Sequence, residues 1–64
     1  MAHAYGYWTR QAFRTARERA YQAERDFEDG LATRQEWLEA ERAYGRAARA
    51  LQTVIRQQRQ EVQG

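Results

Sequence analysis

Tyr7, Arg10, Arg14, Arg17, Tyr21 and Arg25 follow one another at steps of 3, 4, 3, 4 and 4. Residues three and four apart share a face of an α-helix, so this spacing collects guanidinium groups and phenol rings on one stripe. Guanidinium groups grip phosphate or carboxylate through paired hydrogen bonds, and tyrosine rings stack on exposed bases. Arg42, Arg46, Arg49 and Arg56 form a second set, with no acid between Arg42 and Arg59. Binding of a nucleic acid or of another anion is the chemistry such residues could perform. The candidates for it are Arg10, Arg14, Arg17, Tyr21, Arg46, Arg49 and Arg56. The competing reading is a solvated face whose arginines pair with neighbours such as Glu18 and Glu24. A net charge of only +2 favours the solvated face, because nucleic-acid modules are usually far more basic.

The residue types that are missing narrow the function further. All eleven basic residues are arginine, and the chain has no Lys, Ser, Cys, Asn or Pro and a single histidine, His3. High-GC codon usage gives the same preference for arginine without any functional demand. Serine, cysteine and lysine nucleophiles are excluded, and no base–nucleophile pair or phosphate-cradling loop is present. Glu36 with Glu39, or Glu18 with Glu24, lack the Glu-x-x-His partners that a di-metal site in a helical bundle needs. The expectation is a protein that is not an enzyme and carries no cofactor or metal. Without cysteine no disulfide framework can form. Without a long apolar run there is no membrane span or secretory signal, so the expected location is the cytoplasm.

Two helices must carry these side chains. In the first, Phe13, Ala16, Ala20, Ala23 and Phe27 recur at steps of 3, 4, 3 and 4, and in the second Trp37, Ala40, Tyr44, Ala47, Leu51 and Val54 continue the same rhythm. Both are apolar heptad seams. Tyr5, Trp8 and Ala12 widen the first, and Ala43, Ala48 and Ile55 the second, which suits a bundle better than a two-stranded coil. Gly30 is placed to be the left-handed residue that ends helix one, with Leu31 folding back near Phe27. Thr33-Arg34-Gln35-Glu36 has the spacing of a capping box and opens helix two. The sequence therefore predicts an all-α, two-helix antiparallel hairpin over about 5–28 and 34–58, in one domain 1–64 with frayed ends near 1–4 and 59–64.

Two resemblances follow from these motifs. Phe27-Glu28-Asp29-Gly30-Leu31-Ala32-Thr33, continuing to Leu38-Glu39-Ala40-Glu41, resembles the helix–turn–helix passage of the outer-membrane efflux-channel family. That passage implies shared turn chemistry and nothing of the family's activity. The length, turn position and heptads together resemble the Rop family of plasmid copy-number regulators. That resemblance implies an RNA-binding hairpin that dimerises into a four-helix bundle.

Charge is distributed as unevenly as the seams are regular. Residues 1–17 carry three arginines and no acid (+3), residues 18–41 carry eight acids against three arginines (−5), and residues 42–64 carry five arginines against Glu61 (+4). Folding back at Gly30 turns this into a rod with a positive open end and a negative turn. In an antiparallel four-helix dimer each turn would lie beside the partner's open end. The expected function is a small interaction or regulatory module working through protein–protein contacts and self-association as a homodimer. Its candidate interface residues are Trp8, Phe13, Phe27, Trp37, Tyr44, Leu51, Val54 and Ile55, with Tyr5 as a further anchor. Nucleic-acid binding is the alternative, and an accessory subunit completing a larger helical assembly is a third.

Overall fold

The computed structural model describes residues 2–63, and the side chains of residues 6–60. Two helices make up the molecule: α1 over Ala2–Glu28 and α2 over Arg34–Gln63, packed side by side as an antiparallel hairpin. Both run past the limits the apolar spacing predicts. The seams stop, but Gln, Arg, Glu and Ala are strong helix formers and carry the backbone on. The side chains of His3, Tyr5 and Val62 lie outside the described residues.

Local chemistry accounts for the turn in full. Gly30 adopts φ 77°, a left-handed conformation that costs glycine nothing. The Leu31 N–H donates to the Asp26 carbonyl at 2.7 Å and the Gly30 N–H to the Phe27 carbonyl at 3.1 Å, the two bonds of a Schellman motif. Helix α2 then starts on a reciprocal cap. The Glu36 N–H donates to Thr33 Oγ1 at 3.1 Å, and the Thr33 N–H donates to Glu36 Oε1 at 3.0 Å. Leu31 departs from expectation: it stays 77 % exposed rather than folding back. The Phe27 ring is already taken by Trp37, which stacks on it at 5.2 Å and 9°.

The seam itself is thin. Only Ala20 and Val54, each 2 % exposed, are buried hydrophobic side chains among the described residues. Phe13 meets Tyr44 at 5.5 Å in mid-hairpin. Gly6 is buried where α1 runs close to α2: a methyl group there would lie 3.1 Å from Gln58 Nε2 and 3.8 Å from Val54 Cγ1. Trp37 leaves its indole N–H buried without an acceptor, a cost of about 1–3 kcal/mol that the hairpin tolerates. The result is a rod of 51 × 15 × 12 Å, a single layer of helices.

Candidate functional site

Two surfaces flank the seam, and they differ in chemistry. The first follows the tyrosine–arginine stripe of α1. Tyr7 and Tyr21 are more than half exposed, and Arg10 and Arg14 are exposed between them. Arg17 leans inward, its guanidinium 5.8 Å from the centre of the Phe13 ring, a cation–π contact. Arg10 Nη2 donates to Gln58 Oε1 at 3.3 Å, and Arg25 Nη2 donates to Gln22 Oε1 at 3.2 Å. Thus the guanidinium groups that are engaged meet neutral partners. Arg14, Arg46, Arg49 and Arg56 are exposed, and among the described residues no hydrogen bond or ion pair holds their side chains.

Glu39 does not reach Arg42; its Oε1 accepts from Gln35 Nε2 at 3.5 Å. Nor do the two arginine sets merge into one patch. A helical advance of about 100° per residue turns Arg42, Arg46, Arg49 and Arg56 away from the seam of α2, whereas the α1 stripe runs alongside the seam. Any anion would meet one row or the other.

The second surface is an apolar groove of about 720 Å³ on the other side of the hairpin. Trp8, 69 % exposed and edge-on to Tyr7 at 5.4 Å, stands at its rim. Ala12, Ala16, Ala40 and Ala43 form its floor, and Arg19, Glu36 and Glu39 border it. Sequence spacing identified Trp8 and Ala12 as a widening of the seam. It could not show that they and Ala43 remain uncovered, because that depends on how α2 is rotated against α1.

The candidate interface residues separate accordingly. Val54 is enclosed within the hairpin, and Phe13, Trp37, Tyr44 and Leu51 are half-buried along its seam. Phe27 is capped on one side by Trp37. Trp8 is the most exposed ring of the set, well beyond Phe27 at 37 %, with Ile55 half-buried on α2. Gln58 and Gly6, neither of which the apolar spacing singles out, clasp the open end. Their signal was a glycine in register with the seam, readable only once its partner was known.

Among the described residues Glu36 is the one group with a resolved shift in acidity. The Thr33 backbone N–H and then the Thr33 hydroxyl hold its carboxyl below the usual carboxylate value of 4.5. That is a structural cap rather than a reactive group. Among the described residues no group of three or more His, Asp or Glu side chains converges where a metal ion could sit, and no helix is long and apolar enough to cross a membrane. No family model matches the chain, and no curated protein or solved structure shows a significant similarity to it.

Proposed function

We propose that the chain is a cytoplasmic, non-enzymatic interaction module that acts through protein–protein contacts and self-association. The observation that carries this reading is its exposed surface of 5457 Å². A folded monomer of 7.6 kDa exposes about 4,300 Å² on the usual scaling of area with mass. The excess, about 1,200 Å², follows from a single layer of helices. Domains ordinarily bury each apolar face against a second layer, and another molecule is the available source of one. The melting temperature is therefore expected to rise with protein concentration. Leu51→Ala, which thins the seam, should lower stability and assembly together. A stably folded species whose melting is independent of concentration in the micromolar range would remove the reading.

Nucleic-acid binding is the second reading, supported by exposed tyrosines interleaved with arginines that no carboxylate neutralises. It predicts that Arg10→Ala and Arg14→Ala weaken binding to single-stranded RNA without touching assembly. Affinity should fall by about 0.7 log unit per log unit of salt for each phosphate contact. Absence of a gel shift with RNA or DNA at low salt would leave these arginines as a solvated face. An accessory role in a larger helical assembly draws on the same excess surface. Affinity capture with mass spectrometry, with and without nuclease, separates it from the other two.

A further inference from the structure

We propose that the groove beside Trp8 receives a second copy of this chain, docked antiparallel to the first. This rests on the self-association reading and adds the surface used and the direction of docking. The shape of the groove is the first argument. A large ring at the rim and a shallow floor of Ala12, Ala16, Ala40 and Ala43 are the two halves of a self-complementary contact. In a two-fold interface the same patch serves both subunits, so each Trp8 covers the partner's floor while its own floor is covered in return.

Charge supplies the second argument and fixes the direction. Asp26, Glu28 and Asp29 crowd the C-terminal end of α1, where the helix dipole is already negative and only Arg25 answers them in the last turn. Such acids destabilise a helix end unless cations lie near. The open end supplies them, since residues 1–17 sum to +3 and residues 42–64 to +4. Antiparallel docking brings each basic open end alongside the partner's acidic turn, the arginines on the outer faces acting through the summed field rather than by contact. Parallel docking would stack like charge on like at both ends.

Area and the alternative face agree with this choice. The excess surface of about 1,200 Å² is spread over the whole rod and leaves room for a contact of the ~800 Å² that each partner of a stable complex typically buries. Docking through the opposite face would press Arg10 and Arg14 into an interface with no carboxylate among their contacts, and unpaired buried charge is costly. The groove leaves both tyrosine–arginine stripes on the outside of the four-helix assembly.

Sedimentation equilibrium on the full chain tests the surface. Ala12 is exposed in the hairpin, so Ala12→Glu leaves the helices intact but carries an unpaired carboxylate into the contact. Its dimer dissociation constant should rise about a hundred-fold. Tyr21→Glu, on the other flank, should change it by no more than a few-fold. The reverse pattern would overturn the groove and assign the arginine face instead. A wild-type chain that stays monomeric sinks the self-association reading altogether, whereas a dimer indifferent to Ala12→Glu sinks only the groove.

Two further measurements do not depend on a damaging variant. In Trp37→Phe the sole remaining indole is Trp8, whose emission should move to the blue as concentration rises; an unchanged emission across the dimerisation range counts against the groove. For direction, a nitroxide on Gly64→Cys in an unlabelled copy should broaden amide signals around Gly30 of an isotope-labelled partner. Broadening at the partner's open end instead would overturn the antiparallel arrangement.

Discussion

The two ends of the hairpin are held by different kinds of force. At the turn the backbone N–H groups from Asp29 to Thr33 are each answered within a few residues: Gly30 supplies the left-handed backbone, Arg25, Asp26 and Phe27 accept N–H groups through their carbonyls, and Thr33 and Glu36 cap each other. A single ring stack, Phe27 on Trp37, adds packing. At the open end nothing local decides the structure. Val54 sits against Gly6, Arg10 reaches Gln58 across 48 residues of sequence, and Trp8 stands exposed. The turn is strong because its contacts close short loops at little entropic cost. The open end depends on burial, which two thin helices supply sparingly.

That contrast can be tested by breaking each end in turn. The largest effect is expected at the open end, where Val54→Ala removes the most enclosed side chain and should cost about 2 kcal/mol in chemical denaturation. Loss of amide protection should begin at residues near Gly6 and spread toward the turn; a uniform loss along the rod would mean the two ends are not separable. Next in size is Gly30→Val. A β-branched residue at φ 77° should cost about 1–2 kcal/mol even though no atom lies within reach of the added methyl.

Thr33→Ala comes third, at about 1 kcal/mol, because it removes one half of the reciprocal cap and leaves the Glu36 N–H to water. Thermal melts of the single and double variants with Gly30→Val would show whether cap and turn act as one unit. The smallest effect is the pH dependence of the same cap. The folded state lowers the pKa of Glu36, so its contribution is fully present above the usual value near 4.5 and is lost as pH falls through the lowered value. Glu36→Gln should flatten that part of the stability profile while keeping the hydrogen bond to Thr33. An unchanged profile in Glu36→Gln would assign the acid sensitivity to other carboxylates.

How much could be read in advance follows the same division. Gly30, Thr33 and Glu36 announce the turn because their roles depend only on their own backbone and on residues three or four positions away. The seam residues from Phe13 to Phe27 and from Trp37 to Val54 announce two helices and the face each buries. The path of Leu31 was misread from that same pattern, since the Schellman motif needs only its N–H and Trp37 had claimed Phe27. The arginines were legible as a stripe but not as free or paired. An arginine side chain is long enough to reach several partners, and only the packed neighbours decide which.

By itself, then, the sequence determined that the chain folds back once at Gly30, that both arms are helical, and that charge separates toward the two ends. Each of these is written in spacing or in the conformational freedom of one residue. The tertiary structure alone decided which flank of the seam stays open. Ala43 joins Trp8 and Ala12 on one side only because α2 is rotated to bring Val54 and Tyr44 against α1. Rotation of one helix about its axis costs nothing locally and is fixed only by the sum of contacts across the seam. That is why the groove, and the partner it fits, became readable only in three dimensions.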